Sequence, residues 1–249
     1  MRAGAPTESY EDCGLLYLLD YDGTLARENE PADPRVLEAL SKLKELHGLK
    51  IVIVTARPLK DILSFVSRVE IFDALVLELG STLYFPEKSY VVVFKPAYWD
   101  EILSSARERL PAANRGFVLY YVDQDYYEQA QALVSEVAGR YPARLVKVGS
   151  RTHAIVPPDL DKKLGVERLL AVSGWRPKAK VAIGDSLSDL PLFEAADIRV
   201  AVGNAHPELK ERADFVSRSG YGEGVVEGIL WSLDTAKEVE TGKKNPFTP

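Results

Sequence analysis

An α/β fold, a doubly wound parallel sheet interrupted by an α+β insert, is what three observations in the sequence predict. Apolar runs of strand length alternate with amphipathic helical patterns at both ends of the chain. From about Leu83 the pattern changes to short strands and two helices, and after Pro157-Pro158 the first style returns. The 249 residues are 46% hydrophobic, enough for one large domain with a sizeable insert. The division expected is a discontinuous core over residues 12–82 and 158–235, a cap over 83–157, and a tail over 236–249.

The elements follow in order. GLLYLL from Gly14 has the length and continuity of a buried strand. Pro34 to His47 places Val36, Leu37, Leu40, Leu43 and Leu46 on one helical face, and Gly48 closes it. Leu49 to Thr55 (LKIVIVT) is a β-branched run expected of a strand covered on both faces. Ala56-Arg57-Pro58 turns into a second helix reaching about Val69, and Asp73 to Leu79 is a third strand. In the insert, strands are expected at Tyr90–Phe94, Gly116–Val122, Arg144–Val148 and Thr152–Val156, with helices over Ala97–Leu110 and Tyr126–Ala138. Beyond it come helix Asp161–Val172, strand Lys180–Ile183, a helix from Leu187, strand Ile198–Val202, a short helix Pro207–Arg212, strand Asp214–Val216 and helix Gly224–Leu233. From Lys237 periodicity is lost.

Composition narrows the function. A net charge of -6 argues against nonspecific nucleic-acid binding and against docking on an anionic membrane. No apolar run approaches the ~20 residues needed to span a bilayer, and the opening MRAGAPTESYEDCG lacks the apolar middle of a secretory signal, so a cytoplasmic protein is expected. The single Cys13 has no internal disulfide partner and no Cys/His cluster around it. A monomer and a homodimer fit the sequence equally well.

Chemistry concentrates where strands end. The first strand stops at Asp20-Tyr21-Asp22-Gly23-Thr24, and carboxyl ends of strands in an open α/β sheet face the ligand crevice. Two carboxylates so close repel unless a cation or a shared proton separates them, and oxygen-rich sites suit Mg²⁺. Gly184-Asp185-Ser186-Leu187-Ser188-Asp189 repeats the arrangement after the strand KVAI. Either cluster alone reads as a helix N-cap; together they read as one metal site. Asp189, one turn into its helix, is read both as a cap and as a ligand. Thr55 ends its strand level with these termini, where its hydroxyl and the following backbone N–H of Ala56 would hold a phosphate oxygen. Lys162 opens the helix after the insert; an isolated lysine there would be a surface residue, and the other strand ends make it a candidate to neutralise phosphate. Arg151 and His153, on the last strand of the insert, are candidates to contact a substrate, and Asn204 is a candidate to orient the metal carboxylates. Asp123-Gln124-Asp125 imitates the first motif without its Gly-Thr and is read as a helix cap.

The ordered set Asp20-x-Asp22-Gly23-Thr24-Leu25, Thr55, Lys162, Gly184-Asp185-x-x-x-Asp189 resembles the four motifs of the haloacid dehalogenase superfamily, whose Rossmann-like core carries an inserted cap. Val200-Ala-Val-Gly-Asn-Ala205, Leu209-Lys210, Ala213-Asp214 and Gly222 to Ile229 are similar to its phosphatases with a C2-type (C2B, Cof-like) cap, and the likeness covers nearly all of residues 14 to 233. The resemblance implies that Asp20 attacks phosphorus to form an aspartyl-phosphate, and that Asp22 protonates the leaving oxygen and then activates water. It further implies that Thr55 and Lys162 hold the phosphoryl group, and that Mg²⁺ is bound by Asp20, the backbone carbonyl of Asp22, and Asp185, with Asp189 close behind. The substrate implied is a small phosphorylated metabolite. The compact cap, the GDSxxD motif and the ending SGYGEGVVEGI resemble archaeal phosphoglycolate phosphatases most. Mannosyl-3-phosphoglycerate and sucrose-phosphate phosphatases are the nearest alternatives, the LDYDGTL opening is similar to trehalose-phosphate phosphatases, and a phosphomutase is a further alternative. The chain departs from many relatives at Ser188 and at Glu78-Leu79-Gly80-Ser81.

Overall fold

A computed structural model of the chain describes residues 11–240, with side chains to residue 235. In chain order the strands and helices are β1 (Glu11–Leu19), α1 (Pro34–His47), β2 (Lys50–Val54), α2 (Leu59–Phe65), β3 (Ala74–Leu77), β4 (Thr82–Phe85), β5 (Tyr90–Val93), α3 (Trp99–Arg109), β6 (Asn114–Arg115), β7 (Tyr120–Asp123), α4 (Tyr127–Val137), β8 (Arg144–Lys147), β9 (Thr152–Val156), α5 (Lys162–Ser173), β10 (Trp175–Gly184), α6 (Leu190–Glu194), β11 (Ile198–Ala201), α7 (Pro207–Lys210), β12 (Phe215–Val216) and α8 (Tyr221–Glu240). The main sheet has the order β12-β11-β10-β1-β2-β3-β4-β5, parallel from β12 to β3. Its central strands are buried on both faces, as their continuous apolar runs require. Helices α1 and α8 pack together, while α5 lies across β2, β3 and β10 with α6 beside it.

Local chemistry sets the ends of these helices. Asp33 accepts the Arg35 N–H before α1, Pro34 begins it, and Gly48 at φ 60° ends it. Asp161 accepts the Leu164 N–H and so fixes the start of α5, which places Lys162 at its first position.

The insert forms a second, antiparallel sheet, β6-β7-β9-β8, with its own core of Trp99, Ile102, Leu119, Val122, Leu133 and Ile155 among others. It is entered later than the expected boundary at 83. Strands β4 and β5 pair antiparallel with β3 and with each other and extend the main sheet. The change of character at Leu83 is a switch from parallel to antiparallel pairing within one sheet. A run such as Tyr90-Val-Val-Val93 specifies a strand, while its partner is chosen by the turns at 78–80 and 86–88 that fold it back. At the other end α8 continues to Glu240, past the expected start of the tail at 236, and the rest of that tail lies outside the described residues.

Candidate active site

The strand ends converge as a parallel sheet dictates. Asp20 follows the fully buried run Leu16–Leu19 of β1 and is itself buried. The Lys162 ammonium lies 2.6 Å from Asp20 Oδ1 and 2.5 Å from Asp189 Oδ1. Asp189 forms a capping box with Ser186, its Oδ2 accepting the N–H groups of Asp185 and Ser186 at 3.0 Å each. Thr24 Oγ1 donates to Asp185 Oδ1 at 3.1 Å. Gly23, at φ 84°, lies so close that a Cβ there would fall on the Asp185 carboxylate. Asn204 donates to the Gly23 carbonyl at 2.7 Å and accepts the Tyr221 N–H at 2.8 Å, tying the first acidic loop to the start of α8.

Oxygens of Asp20, Asp185 and Asp189 lie within 4.8 Å of one another. Three carboxylates, if all ionised, would stand against one ammonium with an excess of two negative charges, and a hard divalent cation with oxygen ligands fits that deficit. Burial, then the charge of Asp189, pushes the Asp20 carboxyl well above the usual carboxylate range. Asp185 is pushed up to about 6 by the same two causes. Burial alone would lower the Lys162 ammonium, but Asp189 and Asp20 more than reverse it and hold it above the ordinary lysine value. Both oxygens of Asp189 are engaged by protein donors, so Asp20 and Asp185 are the open members.

Asp22 sits apart from this cluster. The loop closes on itself through Gly23 N–H to the Ala26 carbonyl and Leu25 and Ala26 N–H to the Tyr21 carbonyl. That turn sends the Asp22 carboxylate to Arg57, whose Nε and Nη2 donate to its two oxygens at 2.6 Å each. Both carboxylate oxygens of Asp22 are thereby occupied by Arg57. Thr55, buried at the end of β2, accepts the Arg57 N–H through its own Oγ1 at 3.1 Å. Arg57 also donates to Asn29 Oδ1 at 2.8 Å, approaches Asp61 Oδ2 at 3.4 Å, and lies over the Phe65 ring at 4.9 Å.

The description haloacid dehalogenase-like hydrolase matches residues 17–135 and 116–229 of this chain. The chain belongs to this family. Among relatives, phosphoglycolate phosphatase 2 of Saccharolobus solfataricus is 33% identical over 241 residues, covering 91% of this hydrolase and 96% of its own length. A phosphoglycolate phosphatase of Staphylothermus marinus is 29% identical, covering 88% and 98%. The crystal structure of a haloacid dehalogenase-like hydrolase from Bacteroides thetaiotaomicron shares the fold with a TM-score of 0.68 over 88% of this chain and 98% of its own, at 21% identity.

The cap of this hydrolase meets the core through residues that sequence reading passed over. Tyr121 Oη donates to the Ala56 carbonyl at 2.6 Å, Asn114 Nδ2 to Asp61 Oδ2 at 2.7 Å, and the Ser150 N–H to Glu28 at 2.6 Å. Glu78, fully buried at the end of β3, accepts the N–H groups of Phe117, Val118 and Leu119 at 2.8–2.9 Å. A cavity of about 200 Å³ lies at this junction, lined by Ala56, Arg57, Asp61, Asn114, Tyr121 and Thr152 among others. A larger one, about 650 Å³, opens at the amino ends of β1 and β2 beside Cys13 and Lys50, away from the acidic cluster.

The two cap candidates are placed elsewhere. In β9 the side chains alternate, and Ala154 stands beside core-facing Tyr121 while His153 stands beside Val122 on the other face. There the His153 ring packs against Tyr127 of α4 at 4.9 Å, and burial lowers its pKa. Arg151 is held on the cap rim by Asp123 at 2.8 Å and Asp125 at 3.0 Å. Asp123 also accepts the Asp125 N–H, the helix-start role expected of that segment. For Arg57 the signal was present, an arginine two residues beyond a strand-end threonine and fixed by Pro58. Asn114 and Tyr121 carry no comparable signal, because their partners are 53 and 65 residues away.

Proposed function

We propose that this family member is a Mg²⁺-dependent phosphomonoester phosphatase that works through an aspartyl-phosphate on Asp20, in the cytoplasm, with phosphoglycolate its best-matched substrate. The observation that carries this reading is the different setting of two aspartates one residue apart: Asp20 is buried against Lys162, and Asp22 is held by Arg57. Two carboxylates in unlike environments suit a nucleophile and a proton-transfer group. Asp20 and Asp185, with the Asp22 carbonyl, would hold Mg²⁺, and Asp189 orients Lys162 and the Asp185 backbone. The ion when bound neutralises charge on the transferring phosphoryl group.

This chain's residues do the rest. A free oxygen of Asp20 attacks phosphorus in line while Lys162 and the Thr55-Ala56 corner hold the equatorial oxygens. As the P–O bond to the leaving group breaks, Asp22, released at one oxygen from the Arg57 fork and protonated there from solvent, gives that proton to the departing oxygen. Water then attacks phosphorus, Asp22 takes its proton, and inorganic phosphate leaves with Asp20 restored. The seated cap limits water during the first transfer.

Support for a small substrate comes from the named phosphoglycolate phosphatases among the relatives. The test is purified protein with Mg²⁺ against a panel holding phosphoglycolate, sucrose phosphate, trehalose phosphate, mannosyl-3-phosphoglycerate and a bisphosphorylated hexose. Phosphoglycolate is expected to give the highest kcat/KM, and Asp20→Asn to remove phosphate release from every compound. A higher kcat/KM on a sugar phosphate would overturn the substrate assignment, and isomer conversion without phosphate release would make the protein a mutase.

A further inference from the structure

The cap touches the corner between β2 and α2 with two neighbouring side chains. Asn114 and Tyr121 face each other across the β6–β7 ladder and project on the same side. Tyr121 grips the Ala56 carbonyl, one residue before Arg57, and Asn114 grips Asp61, one helical turn after it. Asp61 Oδ2 is shared by Asn114 Nδ2 at 2.7 Å and Arg57 Nη1 at 3.4 Å. Arg57 in turn presents its fork to both oxygens of Asp22. Hydrogen bonds therefore run without a gap from a cap side chain to the carboxyl of Asp22, Asn114 to Asp61 to Arg57 to Asp22. The face of the Arg57 guanidinium is braced by the Phe65 ring, so its freedom is set by these partners.

We propose that Asn114, Tyr121 and Asp61 are positioning residues that aim the acid–base group: the seated cap fixes Arg57, and Arg57, keeping hold of one Asp22 oxygen while the other leaves the fork and takes up a proton, points that second oxygen at the leaving group. The proposal rests on the phosphatase reading above. It explains why the cap contributes neutral hydrogen-bonding groups at this corner rather than charges of its own. The proton-transfer group is complete only when the cap is seated, and a bond to phosphorus is then broken only with an acid in place.

The consequence depends on the leaving group. In the first step the Asp20–phosphorus bond forms, the bond to the leaving oxygen breaks, and the Asp22 proton moves to that oxygen. An alkoxide needs the proton; a nitrophenolate leaves without it. Since kcat/KM reports events only through the first irreversible step, misaiming Asp22 penalises alkyl phosphates selectively. A general acid contributes roughly 10²–10⁴-fold, so partial misplacement is expected to cost tenfold or more.

The experiment measures kcat/KM with Mg²⁺ for Asn114→Ala, Asp61→Asn and Tyr121→Phe on p-nitrophenyl phosphate and on the alkyl phosphate that the wild-type protein cleaves best. Thermal melting accompanies each variant. The expected result is a loss on the alkyl phosphate at least tenfold greater than on the aryl phosphate, in Asn114→Ala and in Asp61→Asn. Equal losses on both substrates, or a gain on the alkyl phosphate, would overturn the relay and leave these contacts as packing. Tyr121→Phe deletes one hydroxyl from a buried ring; the same selective loss in this variant, at an unchanged melting temperature, supports the relay if either other variant folds poorly, and an equal loss overturns it. A wild-type protein that cleaves neither compound overturns the phosphatase reading itself.

Discussion

Asp20, Lys162 and Asp189 form a buried triplet in which one ammonium serves two carboxylates, and Asp185 adds a third acid. The folded, metal-free protein accordingly binds protons more tightly than the unfolded chain. Asp185 moves from 3.8 to about 6, chiefly by burial, and Asp20 moves in the same direction. Between those values the unfolded chain has released a proton that the folded state keeps, so this cluster's contribution to stability falls as pH rises. With a chelator present, melting temperature is expected to decline from about pH 4 to about pH 6.5, and Mg²⁺ is expected to raise it more at about pH 7.5 than at about pH 5. Scanning calorimetry checks this; an equal Mg²⁺ effect at both pH values would remove the acidic cluster as the metal site.

At the scale of elements, the segment after β3 joins core to cap. Glu78 and Leu79 hold φ of 52° and 55°, left-handed values that cost non-glycine residues about 1 kcal/mol or more each. The turn aims the Glu78 carboxylate at three successive cap N–H groups and brings Leu79 against the cap's apolar cluster. Burial raises the Glu78 pKa while those three N–H groups oppose the rise. Gly116 is required beside it, since a Cβ there would fall on the carboxylate. Glu78→Ala strips two buried donors and one part-buried donor of their acceptor and is expected to destabilise the protein by about 3 kcal/mol. Hydrogen exchange of the Phe117, Val118 and Leu119 amides tests it directly: selective loss of their protection is expected, and protection equal to wild type would mean that Glu78 does not seat the cap.

These two scales also show what the sequence revealed and what it withheld. The core strands and the helices α1 and α5 were legible because apolar period, an N-cap and a closing glycine agree locally. The convergence of the strand ends was legible because parallel strands bring their carboxyl ends to one edge, so Asp20, Thr55 and Asp185 needed only their own strands to be placed. The hairpin β4–β5 was assigned to the cap because a short β-branched run does not name its partner. The polar start of β10, WRPKAK, hid five residues of a strand that alternates between solvent and core before its buried end. His153 lies on the face of the cap that α4 covers, a facing its own sequence does not specify, and Arg151, just before β9, is held at the rim by Asp123 and Asp125.

Across the whole molecule, two apolar cores meet at the carboxyl edge of the main sheet, with polar contacts at Glu28, Ala56, Asp61 and Glu78 carrying the junction. Among the described residues no helix is long and apolar enough to cross a membrane. The acidic cluster thus lies at the strand ends of the core, on the edge where the cap is seated. The proposed reaction places a covalent phosphoryl group on Asp20. The most direct measurement mixes Asp22→Asn, in Mg²⁺, with p-nitrophenyl phosphate, quenches in acid, and maps the protein by mass spectrometry. The account predicts a burst of nitrophenol matched by one phosphoryl group on the peptide that contains Asp20, labile to hydroxylamine. Nitrophenol release with unmodified protein, or with the phosphoryl group on another residue, would contradict it.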